Sequence, residues 1–255
     1  MDYYRDQKRN KERALAHTEH MERLFPRRIA NAVAASRIYG EEAMQPEELP
    51  REFLPYPEVV FLNTDSTDAV LRYAVPGKKI CVLNFASYKH PGGKFIEGSS
   101  AQEESLCNDS FLYNVLRRLP YYYEWNGRHL NRSLYKNRAV YTPGVVFARG
   151  EKSALCDVLT CAAPNFTPGK KYGNVTAVEN SAALRGRIRF VRNIVETEHV
   201  DVFITGAYGC GVFSQDAAET ADLFREFFET SQVKIVVYAV PGDDRNAHIF
   251  RKLPG

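Results

Sequence analysis

The sequence predicts an α/β protein: a three-layer α/β/α sandwich around a mixed, largely parallel central sheet, with a helical extension at its N-terminus. Three observations carry this. From residue 58 onward, short apolar runs alternate with segments of helical pattern. The runs, such as "KKICVLNFAS" (78–87) and "KIVVYAVPG" (234–242), are apolar on both faces, as parallel strands between two helical layers must be. Ahead of them the texture differs. Residues 5–36 are rich in Arg, Lys, Glu, Ala and Leu with few apolar anchors, which predicts one or two mostly exposed helices. The expected organisation is an extension over residues 1–50, packed on a main domain over 51–255, with the four-proline stretch "QPEELPREFLPYP" (45–57) as connector.

The elements follow in order. "EVVFLN" (58–63) reads as a strand and "STDAVLRYA" (66–74) as a capped helix. After the buried strand 78–87, "QEESLCNDSFLYNVLRRL" (102–119) has helical spacing through Leu106, Ser110 and Tyr113. "RAVYTPGVVFAR" (138–149) is one strand, or two broken at Pro143–Gly144, and "CDVLTCAAP" (156–164) is another. A long helix covers 175–198, and "DVFITGAYGCGVF" (201–213) is a strand running into a glycine-rich loop. A helix over 214–231 and the strand 234–242 close the pattern.

Bulk properties narrow the function. The 255 residues suffice for a sizeable core, and 44% hydrophobic with 25% charged residues are ordinary globular values. A net charge of +3 is too mild to argue for nucleic-acid binding by itself, and it suits an anionic small ligand. The five cysteines form no C-x-x-C pair; Cys81, Cys156 and Cys161 lie in apolar runs and read as reduced thiols. The charged start has no apolar signal region and no apolar run approaches 18 residues, so a cytoplasmic protein without a membrane span is expected.

Two loops at strand ends hold the candidate chemistry. In "GAYGCGVF" (206–213) three glycines precede a helix start near Ser214. Such a loop makes a diphosphate cradle from backbone N–H groups and the helix dipole, or simply a tight turn. Its G-x-x-G-x-G order is not the dinucleotide fingerprint. In "HPGGKFIEGSSAQEES" (90–105) glycines run into Glu103 and Glu104. Ser100-x-x-Glu103 matches a capping box, which would turn Glu103 back and leave Glu104 facing elsewhere. Both acids are then helix-start residues, or a pair whose mutual repulsion raises a pKa for general acid work. Asn63 and Asn84 at strand ends suit a ribose contact or an ordinary loop role. Tyr121–Tyr123 with Trp125 read first as packing, Arg185, Arg189 and Arg192 as a solvated face, and His17 with His20 as surface residues rather than a metal site. Ser153 and Ser214 lack a base partner, which disfavours a serine hydrolase.

"LNFASYKHPGGKFIEGSSAQEES" and "TGAYGCGVFSQD" together resemble the two signature loops of the bacterial-type poly(ADP-ribose) glycohydrolases, which are macrodomain proteins. The resemblance covers most of residues 58–250, and the N-terminal helices resemble the extension of that family. It implies an ADP-ribose-binding macrodomain that cleaves the ribose–ribose O-glycosidic bond of poly(ADP-ribose), with no metal and no cofactor. The family's Gln-Glu-Glu falls on Gln102, Glu103 and Glu104. The catalytic acid/base is then Glu104, and Glu103 helps to hold the ribose beside the scissile bond. The first loop corresponds to Pro91, Gly92 and Gly93, and the diphosphate loop to Gly206, Ala207, Tyr208, Gly209, Cys210 and Gly211. Phe213 takes the place of the aromatic that positions the terminal ribose, and Asn84 that of a ribose contact. One position departs: Lys94 replaces the family's third loop glycine. In a left-handed conformation a lysine would cost on the order of 1 kcal/mol, and its charge would lie beside the diphosphate. The implied partner is ADP-ribose or its polymer on modified protein or nucleic acid. Removal of single ADP-ribose units, or binding without turnover, are the alternatives.

Overall fold

Residues 2–41 and 56–254 are described by the computed structural model of the chain. Strands β1 (Arg37–Tyr39), β2 (Glu58–Leu62), β3 (Ile80–Phe85), β4 (Ala139–Arg149), β5 (Lys152–Cys161), β6 (Val202–Thr205) and β7 (Ile235–Ala239) form one sheet in the order β1-β4-β5-β3-β6-β7-β2. The five strands from β5 to β2 pair in parallel, while β4 runs antiparallel to both β5 and β1. This is the mixed, mostly parallel α/β sheet that the alternating pattern predicts.

Alternation along each strand divides the core into two layers. Ile80, Val82, Val158, Ile204 and Val237 face α1 (Asp2–Leu24), α2 (Pro26–Ala35), α3 (Ser66–Tyr73), α4 (Gln102–Asn108), α5 (Leu112–Leu116) and α6 (Pro120–Arg128). Cys81, Leu83, Leu159, Phe203 and Val236 face α8 (Ala177–Thr197), α9 (Ala217–Phe228) and α10 (Arg245–Phe250). The short α7 (Phe166–Gly173) lies between β5 and α8 in the chain.

Several predicted bounds shift for local reasons. The helix expected over 102–119 is broken after Asn108, where the Ser110 hydroxyl donates to the Leu106 carbonyl and accepts from Leu112 N–H. Such side-chain bonds compete with the helical ladder. β1 and α10 went unforeseen because they are three and six residues long, and α6 and α7 went unforeseen as well. The connector over 45–57 and the boundary at residue 50 lie outside the described residues, apart from Tyr56 and Pro57. The four cysteines Cys81, Cys107, Cys156 and Cys161 are free and buried. Of the aromatic stretch, Tyr122 and Tyr123 are buried in the core and Trp125 stacks on His129 under Arg138. Among the described residues no helix is long and apolar enough to cross a membrane.

The N-terminal helix buttresses the loop that follows β3. α1 packs on the 3₁₀ turn Phe95–Glu97, and the Asn10 amide donates to the Gly98 carbonyl at 3.4 Å. Farther along, His17 Nε2 meets the Ser110 carbonyl at 2.9 Å and Asn114 donates to the Thr18 carbonyl at 2.9 Å. Gly98 has φ +85°, and a Cβ there would strike the Gln7 carbonyl and come within 2.9 Å of the Lys11 nitrogen. Gly77 has a similar φ of +81° but no atom within 4 Å of a Cβ. Gly98→Ala is therefore expected to lower unfolding free energy by about 3 kcal/mol, against about 1 kcal/mol for Gly77→Ala, in urea titrations of the two variants.

Candidate active site

β3 and β6 are parallel neighbours, so the loops that leave their carboxyl ends lie side by side, where open α/β sheets bind ligands. The first loop folds tightly: Gly93 N–H donates to the His90 carbonyl at 3.1 Å and Phe95 N–H to the Gly92 carbonyl at 3.0 Å. Gly92 (φ +65°) and Gly93 (φ +62°) take the left-handed conformation, and Pro91 precedes them half-buried. Both glycines are also needed for space. A Cβ on Gly92 would sit 2.7 Å from the Tyr113 ring, and one on Gly93 would sit 2.6 Å from Glu104 Oε1 and 3.0 Å from Glu103 Oε2. The loop is thus laid directly over two carboxyl groups.

Gln102 opens α4 and ties it to β3. Its carbonyl oxygen accepts from Phe85 N–H at 2.8 Å, and its amide donates to the Leu83 carbonyl at 2.9 Å and to Ser66 Oγ at 3.0 Å. All of these partners are protein groups, so Gln102 positions the helix start. The capping box expected from Ser100 and Glu103 is absent. The N-cap is Ala101, without a side-chain bond, and Glu103 turns toward the sheet instead. Its Oε1 accepts from Asn84 Nδ2 at 3.1 Å and its Oε2 from Ser87 N–H at 2.7 Å, with a further bond from the Gly92 backbone. These donors, reachable only from the folded sheet edge, outcompete the local cap.

Glu104 is held differently. Oε1 accepts from Lys94 N–H at 3.0 Å, while Oε2 has no protein donor among the described residues. Both acids are buried, at 3% exposure for Glu103 and 6% for Glu104. Burial pushes the Glu103 carboxyl up to about 8, with the neighbouring Glu104 charge adding to the rise and the bonds from Ser87, Asn84 and Gly92 opposing it. The raised pKa thus falls on Glu103, the more enclosed acid.

That shift has a sign that can be measured. The folded protein keeps a proton on Glu103 that the unfolded chain loses near the ordinary carboxyl value of 4.5. The resulting stability is fully present below that value and is lost as pH rises through about 8. Wild type should therefore lose on the order of a few kcal/mol relative to Glu103→Gln between about pH 5 and about pH 8, in denaturant titrations at each pH.

Lys94 sits at φ −113°, so replacing a glycine there carries no left-handed strain. Its side chain is exposed, and its contribution to the pair is the backbone N–H on Glu104. Asn84 is fully buried behind Glu103, its Nδ2 shared with Thr160 Oγ1 at 3.3 Å. It orients Glu103 rather than lining open space. Asn63, by contrast, accepts from Gly242 N–H at 2.8 Å.

The second loop runs from Gly206 to Phe213. A Cβ on Gly206 would collide with the Ala239 carbonyl, and one on Gly209 (φ +76°) would lie 2.8 Å from Ala163 and from Gln215. Gly211 has open space on its Cβ side. The N–H groups of Gly211, Val212 and Phe213 have no acceptor among the described residues, which leaves a run of donors on the exposed side. Ala207 and Cys210 are half-buried, and burial pushes the Cys210 thiol up to about 11. The Tyr208 side chain points inward, between Phe85 and Phe224, with its hydroxyl donating to the Cys161 carbonyl at 3.0 Å. Only its backbone faces the loop.

The helix after this loop begins at Ala217, not near Ser214, and Asp216 accepts from Ala218 and Glu219 N–H at 2.9 and 3.0 Å. An aspartate therefore occupies the helix end that the sequence assigned to a diphosphate. Any anion must be held by the loop amides. Phe213 packs edge-on against Tyr135 at 6.3 Å, and Tyr135 stacks on Tyr88 at 4.1 Å. Tyr88 belongs to the first loop, so Tyr135 joins the two. Tyr135, Ser87 and Thr160 escaped sequence reasoning. Ser87 acts through its backbone and Thr160 through sheet register, and neither leaves a sequence signal.

The family described as microbial-type PARG, catalytic domain, matches residues 9–150, more than half of the chain. No curated protein matches in sequence. Among solved structures, the poly(ADP-ribose) glycohydrolase of Thermomonospora curvata is 27% identical, with 96% of this chain and 98% of that chain covered and a TM-score of 0.81. The same enzyme bound to the inhibitor ADP-HPD gives 28% identity over 96% and 98% of the two chains and a TM-score of 0.82. The Deinococcus radiodurans poly(ADP-ribose) glycohydrolase in complex with ADP-ribose is 27% identical over 88% of this chain and 96% of that chain, with a TM-score of 0.76.

Proposed function

The chain belongs to the family of microbial-type PARG catalytic domains, the poly(ADP-ribose) glycohydrolases, and we propose that within this activity Glu104 moves the proton while the two glycine loops hold the substrate. The protein is a glycosidase: it hydrolyses the ribose–ribose O-glycosidic bond of poly(ADP-ribose) and releases ADP-ribose. The observation that supports the role of Glu104 is the asymmetry of the acid pair. Glu103 is bonded at both oxygens, whereas Glu104 keeps Oε2 free.

In this reading the proton that burial keeps on Glu103 up to about pH 8 is the proton available to the site. Glu104 takes that proton from Glu103 and passes it to the leaving ribose 2′ oxygen as its bond to the anomeric carbon breaks. The departing bond leaves an oxocarbenium-like ribosyl group. Water then adds to the anomeric carbon and loses a proton to the Glu104 carboxylate, which restores the acid. Glu103, fixed by Asn84, Ser87 and Gly92, holds the ribose and its charge balance. The donors at Gly211, Val212 and Phe213 bind the diphosphate, and this remote binding energy positions the reacting sugar.

The substrate in this proposal is ADP-ribose polymer on modified protein or nucleic acid, met in the cytoplasm, with α1 of the N-terminal extension bracing the first loop. Its test is a parallel assay of the purified protein on poly(ADP-ribose), mono-ADP-ribosylated protein and mono-ADP-ribosylated DNA. Release of ADP-ribose from the polymer at a rate at least about tenfold above either mono-modified substrate supports it. Faster release from a mono-modified substrate transfers the assignment to that linkage.

A further inference from the structure

Arg187 is the largest fully buried side chain among the described residues, at 1% exposure. It lies on the apolar stripe of α8, beside Leu184, Ile188 and Val191. Its hydrogen-bond acceptors are all neutral. Nε donates to Asn137 Oδ1 at 2.7 Å, Nη1 to the Ala162 carbonyl, and Nη2 to the Leu134 carbonyl at 3.4 Å. No carboxylate pairs with it among the described residues. A guanidinium buried with neutral partners alone is costly, because carbonyl dipoles do not cancel its charge.

Its partners are the end of β5 and the turn over 131–137. That turn is strained. Asn131 (φ 45°), Arg132 (φ 52°), Ser133 (φ 69°) and Tyr135 (φ 61°) all take the left-handed conformation without being glycine. Each costs on the order of 1 kcal/mol, so the turn persists only because its surroundings over-determine it. Besides Arg187, Asn165 N–H donates to the Ser133 carbonyl at 2.8 Å, and Lys136 N–H donates to the Tyr88 hydroxyl at 3.2 Å. The product of this clamp is the placement of Tyr135, stacked on Tyr88 from the first loop and edge-on to Phe213 from the second. Arg187 is also electrostatically close to the glycine loop. Burial raises the Tyr208 phenol well above its ordinary value, and the Arg187 charge pulls against that rise.

We infer that Arg187 is a positioning residue for ADP-ribose: it clamps the strained turn so that Tyr135 backs Phe213, and it places beneath the glycine loop a positive charge for which the ligand's diphosphate is the counter-charge. This rests on the glycohydrolase reading for the identity of the ligand. Arg187 touches none of the reacting atoms; it acts through Tyr135 and through its field.

The test compares Arg187→Met, Arg187→Lys and Tyr135→Leu with wild type in the full chain. The dissociation constants of ADP-ribose and of uncharged adenosine are measured at low and high salt, beside KM and kcat on poly(ADP-ribose). Arg187→Met is expected to weaken ADP-ribose about tenfold and to flatten its salt dependence, while adenosine changes less than about twofold. Arg187→Lys, which keeps the charge but not the forked donor, should retain the salt dependence and recover part of the affinity. A folded Arg187→Met that binds ADP-ribose within about twofold of wild type, or loses both ligands equally, overturns the inference. Should Arg187→Met fail to fold, Tyr135→Leu decides: a KM raised about fivefold with a smaller change in kcat supports the clamp, and a wild-type KM overturns it. The binding measurements stand even if poly(ADP-ribose) is not turned over, so failure of the inference and failure of the glycohydrolase reading are distinguishable.

Discussion

Glu104→Gln is expected to slow the release of ADP-ribose from poly(ADP-ribose) by about a thousandfold, at nearly unchanged affinity for ADP-ribose. Gln is isosteric and can still accept the Lys94 N–H bond that Glu104 Oε1 accepts at 3.0 Å. What it cannot do is give a proton to the leaving oxygen or take one from water. A loss confined to kcat would mark an interaction made only in the transition state. Glu103→Gln is the informative companion. Gln at 103 keeps one acceptor oxygen but places an amide nitrogen against Asn84 Nδ2 or the Ser87 N–H, two donors that Glu103 now satisfies at 3.1 and 2.7 Å. Its loss should fall on KM and kcat together. Identical profiles for the two variants would mean that the asymmetry of the pair has no functional consequence.

Gly93→Ala should lower kcat/KM by at least about a hundredfold, because a displacement near 1 Å at reacting groups costs that much. Two effects converge on one methyl group. The φ of +62° disfavours any L side chain, and the new Cβ would sit 2.6 Å from Glu104 Oε1 and 3.0 Å from Glu103 Oε2. Neither carboxyl has room to withdraw, since both are buried and Glu103 is bonded at each oxygen. The loop must lift, and the Lys94 N–H leaves Glu104 with it. Gly150→Ala is the control. Gly150 has the same φ of +62° but no atom lies within 4 Å of its Cβ, so kinetics should remain within about twofold of wild type.

Most of the sheet was legible in the sequence because parallel strands buried on both faces read as continuous apolar runs, as in 80–85 and 235–239. The helix over 102–119 misread for the opposite reason. Its spacing stays helical across Ser110, and only the hydroxyl bonds to Leu106 and Leu112 show that the backbone turns there. The acid pair shows the same limit at the site. Glu-Glu after a serine looks like a local cap, and the donors that claim Glu103 come from Asn84 and Ser87, 19 and 16 residues away. The helix end at Ala217 misled for want of one contact, the Asp216 carboxylate on Ala218 and Glu219 N–H. Lys94 looked strained only while the whole glycine run was taken as left-handed; the conformation stops at Gly93. Arg187 left one trace, an arginine in the apolar stripe of Leu184, Ile188 and Val191, which a search for arginines sharing a face passes over. The misses at Glu103 and Arg187 are long-range contacts that outweigh a local preference, while those at Ser110 and Asp216 are local side-chain bonds that compete with the helical ladder.

In the proposed mechanism the buried pair beneath the Gly92–Gly93 turn hydrolyses a ribosyl bond of the polymer. The most direct measurement is the amount of free ADP-ribose formed with time when purified poly(ADP-ribose) is incubated with the wild-type protein, quantified by mass. A linear release proportional to protein concentration is the result predicted. Tight binding of ADP-ribose with no release from the polymer would contradict it and leave the protein a reader of the same ligand.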